Sequence, residues 1–388
     1  MNSEIDINFD IENYFDSLLE DIEDIEEIDV SERNINYIPD NISKFTNLKR
    51  LYCNLNHLTS LPTLPSSLEK LICDNNDLVS LPPLPKNLKT LICSHNKLTA
   101  LPNLNEKLEI LYCYNNNLSS LPPLNENLKV LYSYFNKITY LPLLNEKIKK
   151  IYCGNNYLKS LPLLNANLKE LYCDNNGLSN LPPLNKNLKF LHCNNNNLTS
   201  LPLLNANLKE LYCDNNELTT LPHLNEKLEM LYCGNNRLKS LPLLNINLKE
   251  LYCNNNELTY LPPLNEKLEI LYCEYNKLTS LPLLNDKLVE QIQFCFRKNP
   301  ISEIIRSDEI PIIKKRVKIL HQFRYLYYLF KFKKQLRDWL WVKIREPKIR
   351  EKFSPKYLKE NLPNEETDLD EVLYNWIQLT SFYMKKRI

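Results

Sequence analysis

Leucine, isoleucine and cysteine return along most of this chain with a strict step of 20 residues. The stretch 48–67, LKRLYCNLNHLTSLPTLPSS, sets the pattern, which repeats in register to about residue 287. Numbered from Leu48, the unit reads L-x-x-L-x-C-x-x-N-x-L-x-x-L-P-x-L-x-x-x. Position 4 is Leu51, Leu71, Leu91, Leu111, Leu131, Ile151, Leu171, Leu191, Leu211, Leu231, Leu251 and Leu271, so twelve units pass without insertion or deletion. Positions 3 to 7 alternate between two faces, which predicts a short strand. Positions 1, 4 and 6 then face a core, and the leucines at 11, 14 and 17 fill it from behind. Proline at position 15, from Pro62 to Pro282, bars a helix from the return segment. It also biases the preceding leucine toward extended backbone. A return such as LPPLNEN is too short for two helical turns, so an extended, polyproline-II-like segment is expected.

Position 9 is asparagine in all twelve units: Asn56, Asn76, Asn96, Asn116, Asn136, Asn156, Asn176, Asn196, Asn216, Asn236, Asn256 and Asn276. A side-chain amide offers two donors and an acceptor. The expected role is a structural ladder tying each turn's backbone to the next rung.

A period of this length with this pattern resembles the leucine-rich repeat. The form LxxLxCxxNxLxxLPxL is similar to the short repeats of secreted bacterial effectors, and the likeness covers residues 48–287. It implies an α/β-type leucine-rich repeat solenoid, with a parallel concave β-sheet and extended (polyproline-II or 3-10) convex segments. The stretch RDWLWVKIREPKIREKFSPKYLKENLPNEETDLDEVLYNW resembles a tail shared by proteins of mimivirus-like giant DNA viruses. That likeness implies a viral protein of the host cytoplasm. Some bacterial relatives carry a ubiquitin-ligase domain with a cysteine nucleophile. No cysteine follows Cys295 here, so that activity does not carry over.

The flanks differ from the array. Residues 1–24 form an acidic N-terminal cap, with Ile11, Tyr14, Phe15, Leu18, Leu19 and Ile22 at helical spacing. The solenoid runs over 25–304 in about 14 units. Its first unit, 25–47, is atypical, with Ile25, Ile28, Val30, Ile35 and Ile38 on core positions and Arg33 in place of the asparagine. A closing unit spans 288–304, where Phe294 and Phe296 take positions 4 and 6 and Cys295 points outward or sits at an irregular turn. Residues 305–388 are a small α-helical region, basic and aromatic, with Val317, Leu320, Arg324, Tyr327 and Phe330 at helical spacing. Ser354 and Pro355 mark one helix start, and Thr367, Asp370 and Glu371 another.

Net charge is +1, but unevenly spread. Residues 1–30 hold twelve Asp or Glu and no Lys or Arg, while 311–359 hold sixteen Lys or Arg against three acids. Eleven of the twelve cysteines fall at position 6, and Ser133 replaces one. One thiol per rung suits a small hydrophobe, not a disulfide pair or a tetrahedral metal set. No metal and no cofactor are expected. Without a basic, apolar start or a long apolar run, a cytoplasmic setting and no membrane span are expected.

Position 5 carries Tyr52, Tyr112, Tyr132, Tyr152, Tyr172, Tyr212, Tyr232, Tyr252 and Tyr272 on the concave face. Tyrosine is enriched at interface hot spots. With the exposed apolar Ile110, Val130 and Phe190 at position 3, Tyr114 and Tyr134 at position 7, and Phe135, these form the candidate partner-binding face. Its centre is expected at Ile110, Tyr112, Tyr114, Val130, Tyr132 and Tyr134. The bland alternative is a tyrosine row that only stabilises neighbouring strands. Histidines 57, 95, 192, 223 and 321 sit at unrelated places, and no nucleotide-loop or zinc-protease motif occurs. The reading is therefore a non-catalytic protein-binding scaffold with a protein partner. The alternative is nucleic-acid or anionic-surface binding through 311–359.

Overall fold

The computed structural model describes residues 9–284, 294–307 and 309–348. Two compact units divide between Val317 and Lys318.

Among the described residues the first unit holds one parallel sheet of fourteen strands in sequence order. These are β1 (Glu27–Asp29), β2 (Arg50–Tyr52), β3 (Lys70–Ile72), β4 (Thr90–Ile92), β5 (Ile110–Tyr112), β6 (Val130–Tyr132) and β7 (Lys150–Tyr152). They continue with β8 (Glu170–Tyr172), β9 (Phe190–His192), β10 (Glu210–Tyr212), β11 (Met230–Tyr232), β12 (Glu250–Tyr252), β13 (Ile270–Tyr272) and β14 (Phe294–Cys295). Register never slips: Leu111 faces Leu131, and Tyr112 faces Tyr132. The architecture is a parallel-sheet solenoid, as the repeat predicts.

Strands β2 to β13 are three residues each, positions 3 to 5, shorter than the expected 3 to 7, and β14 has two. Inter-rung bonding nevertheless continues, with Cys113 N–H on the Tyr132 carbonyl and Asn115 N–H on that of Tyr134. Regular strand geometry stops because position 8 turns left-handed in every rung, with φ of 55° at Asn115 and 51° at Phe135. Return segments hold no helix among the described residues of units 48–284.

The leucines at positions 1, 4 and 11 are buried, and so are the position-6 thiols. Each buried leucine contributes about 1.5–3 kcal/mol, which a single rung cannot realise without neighbours on both sides. All twelve cysteines are free, and burial pushes the Cys113 thiol up to about 12. Ser133 takes the same buried slot. Leucine at 17 departs from expectation: Leu104 and Leu124 are only half-buried.

The asparagine ladder runs toward the preceding rung rather than the next. Asn156 donates to the carbonyls of Ser133 (3.0 Å), Cys153 (3.2 Å) and Gly154 (3.1 Å). Its oxygen accepts from Ile138 N–H at 2.9 Å. A second ladder, unforeseen, lies at position 18: Asn165 donates to Asn145 and Ile148 carbonyls.

At the N-terminus a helix, Ile11–Leu18, is capped by Asp10, whose carboxylate accepts from Glu12 and Asn13 N–H groups. Ile11 and Phe15 are buried, and Phe15 meets Phe45 edge-on at 6.0 Å. At the other end Phe294 pairs with Leu271 and Cys295 with Tyr272, with Phe296 buried, in the predicted phase. Asn299 continues the ladder onto Cys273. The rest of that closing unit, 288–293, lies outside the described residues.

Helices follow at Pro300–Ile305, Ile310–Lys331 and Lys333–Leu340, then a π-helical turn, Trp341–Arg345. The expected apolar stripe is buried at Val317, yet Tyr327 and Phe330 are exposed. The helix starts expected at Ser354 and Thr367 lie outside the described residues. No described helix is long and apolar enough to cross a membrane.

Candidate partner-binding face

Positions 3 and 5 flank a fully buried position 4, so both stand on the sheet side away from the core. Strand spacing of about 4.8 Å forces identical side chains into contact. The rings therefore form a column, in which five of eight neighbouring pairs stack and three are tilted. Tyr112 lies 4.3 Å from Tyr132, and Tyr132 lies 4.2 Å from Tyr152. The column continues through Tyr152–Tyr172 (4.1 Å), Tyr172–His192 (4.1 Å), His192–Tyr212 (4.0 Å) and Tyr212–Tyr232 (4.2 Å). Tyr232–Tyr252 (4.1 Å) and Tyr252–Tyr272 (4.8 Å) complete it. Every ring remains half-buried.

A second, shorter column stands beside the first at position 7. Tyr114 stacks on Tyr134 at 4.4 Å, and Tyr134 approaches Tyr132 at 6.4 Å and Phe135 at 5.6 Å. Ile110 and Val130 pair across β5 and β6, and Phe190 opens β9. The predicted residues are thus brought onto one side of one sheet. Burial, then the neighbouring phenols, push Tyr134 up to about 12.

Tyrosine hydroxyls reach forward to position 3 of the next rung. Tyr152 donates to Glu170 at 2.7 Å, and Tyr232 to Glu250 at 2.6 Å. His192 sits 3.7 Å from Glu210 and is held at about 4 by desolvation, so it is neutral at pH 7. Lys150 bridges Glu170 at 3.0 Å. Burial raises Glu210, and Glu229 and Glu250 add to the shift.

Besides the position-18 ladder, two features escaped the sequence reading. Position 8 is left-handed throughout; its signal is asparagine in eight of twelve units, a residue that tolerates this conformation. Position 16 carries leucines on the return side that are almost wholly exposed, Leu143 at 85% and Leu203 at 82%. The repeat leaves position 16 unspecified, and only the geometry shows that its leucines face solvent.

The comparisons agree with this architecture. A family model described as leucine-rich repeats (two copies) matches residues 186–226 and 226–266. No curated protein matches the chain in sequence. YopM from Yersinia enterocolitica WA-314 is 34% identical over 66% of this chain, with a TM-score of 0.64. This chain spans 56% of that YopM chain's length. The YopM effector of Yersinia pestis is 29% identical over 70% of this chain and 88% of its own, with a TM-score of 0.57. The functional domain of InlJ from Listeria monocytogenes, which includes a cysteine ladder, is 27% identical over 70% of this chain and 67% of its own, with a TM-score of 0.58. With its repeat, its sheet and these relatives, the chain is a leucine-rich repeat protein that resembles bacterial proteins of the YopM and InlJ kind.

Proposed function

We propose that this protein is a non-catalytic scaffold that holds a protein partner against the solvent side of its parallel sheet. The observation that carries this reading is the unbroken column of half-buried rings from Tyr112 to Tyr272. Tyrosine joins an apolar ring to a polar tip and anchors interfaces well. Stacking fixes the rings before a partner arrives, so little side-chain freedom is lost on binding. The centre of the site is Ile110, Tyr112, Tyr114, Val130, Tyr132 and Tyr134, where two aromatic columns run side by side. Likeness to a leucine-rich effector protein supports a setting in the cytoplasm of a host cell.

Replacing Tyr112, Tyr132 and Tyr134 together by alanine tests the reading. Partner capture should be lost while the far-ultraviolet circular dichroism is retained. Each lost ring pair should cost about 0.2–1 kcal/mol of stability. Capture that survives the triple substitution contradicts the proposal.

A further inference from the structure

The strand face is electrically split. Over β2–β7, positions 3 and 7 hold Arg50, Lys70 and Lys150 against a single acid, Asp74. Over β8–β13 they hold Glu170, Asp174, Glu210, Asp214, Glu250 and Glu274 and no Lys or Arg.

The acidic half also has a longer period. LKELYC recurs at 168–173, and LKELYC again at 208–213 and 248–253, so the true unit there is two rungs. Position 3 then alternates: Glu170, Phe190, Glu210, Met230, Glu250, Ile270. All six stand half-buried on the solvent side of β8–β13, beside the ring column. A carboxylate thus recurs every second strand, about 9.6 Å apart, with an apolar side chain between.

Few peptide conformations share that spacing. A β-strand repeats its facing side chains every ~6.7 Å, and one α-helical turn advances about 5.4 Å. Polyproline II has three residues per turn and a rise of ~3.1 Å, so every third side chain returns after about 9.3 Å. Across Glu170, Glu210 and Glu250 the face spans about 19 Å, and six residues of polyproline II also span about 19 Å. That helix has no internal hydrogen bonds and docks on aromatic-lined surfaces.

Charge agrees with the spacing. Tyr232 donates one bond to Glu250, which leaves other lone pairs on that carboxylate open to a cation, whereas Glu170 already accepts from Tyr152 and bridges Lys150. Neutral His192 does nothing to offset Glu210.

We infer that the β8–β13 half of this face binds a basic segment in polyproline-II conformation, with Lys or Arg at every third position. The cations lie over Glu210 and Glu250, with Glu170, already bridged by Lys150, at the edge of the site, and the intervening residues lie over the rings and over Phe190 and Met230. This rests on the scaffold reading above and names the chemistry of the partner.

The test is fluorescence anisotropy of the full chain with labelled repeats of Arg-Pro-Pro. The control has the same composition, with all arginines grouped at one end. The alternating peptide should bind about tenfold tighter than the control, and Glu210→Gln with Glu250→Gln should weaken it about tenfold. Equal binding of the two peptides, or indifference to the glutamines, overturns the inference. Absence of peptide binding with capture still dependent on Tyr112, Tyr132 and Tyr134 overturns it too, and leaves the scaffold reading standing. Capture indifferent to those tyrosines overturns both.

Discussion

Tyr152 donates its hydroxyl to Glu170 on the following rung, at 2.7 Å, while its ring stacks on Tyr172 at 4.1 Å. One side chain therefore joins three rungs' worth of the face, through Tyr132 behind it and Glu170 ahead. Burial and this carboxylate both hold the phenol above its ordinary value of 10.0. Unfolded phenols ionise near that value and the folded ones do not, so stability falls as pH rises beyond about 10. A spectrophotometric titration should show Tyr152→Phe and Tyr232→Phe leaving the amplitude below about pH 11 unchanged. Loss of amplitude in that range would mean that these rings ionise freely.

His192 sets an acid dependence of the opposite sense. Desolvation lowers it from 6.5 to about 4. In the unfolded chain it gains a proton near 6.5 and in the folded chain it does not, so stability drops as pH falls from 6.5 toward 4. Glu210 is raised above 4.5 by burial, so acidification relieves its burial cost, with the contrary sign. Between about pH 6.5 and 5, a comparison with a chain that lacks the imidazole but keeps Glu210 isolates His192. Urea midpoints across that window should fall for the native chain and fall less for His192→Tyr, which restores the ring column. Identical slopes for both chains would remove His192 from the account.

Asn156 satisfies four backbone groups from within the core. Asn156→Asp keeps its shape but turns the donating amide into an acceptor facing carbonyls. Equilibrium urea unfolding should show a loss of about 3 kcal/mol, larger than most surface substitutions give. A loss under about 0.5 kcal/mol would mean that the ladder is ornamental.

Leu55 holds the left-handed position 8 at φ 56°, where eight other units place asparagine. A β-carbon there costs about 1–2 kcal/mol, which asparagine partly escapes by local hydrogen bonding. Leu55→Asn should stabilise the chain by about 0.5–1 kcal/mol in thermal unfolding. Destabilisation would mean that the exposed leucine packs more than its surroundings indicate.

The repeat was legible because stacking imposes one demand on every rung. Leu51 and its counterparts must fill the same slot, so the core, the strand register and Asn56 to Asn276 all announce themselves by period. What stayed hidden is what period alone does not price. Leu203 occupies position 16, which the repeat leaves unspecified, and its apolar side chain lies exposed on the return side. Asn165 stands at an unmarked position 18, where two units carry Pro65 and Pro85 instead, so its ladder was not apparent. Tyr327 and Phe330 follow helical spacing, which says that one face is apolar without saying that anything covers it. At the candidate face the ring column followed directly from position 5, whereas the hydroxyl-to-carboxylate contacts depend on side-chain reach between rungs.

The central claim is that partners meet the strand face, not the exposed leucines behind it. Site-specific photo-crosslinking tests it most directly, with benzoylphenylalanine placed in turn at Tyr132 and at Leu163, which is 77% exposed on the return side. The account predicts a crosslinked partner from position 132 and none from 163. Crosslinking from 163 alone would contradict it.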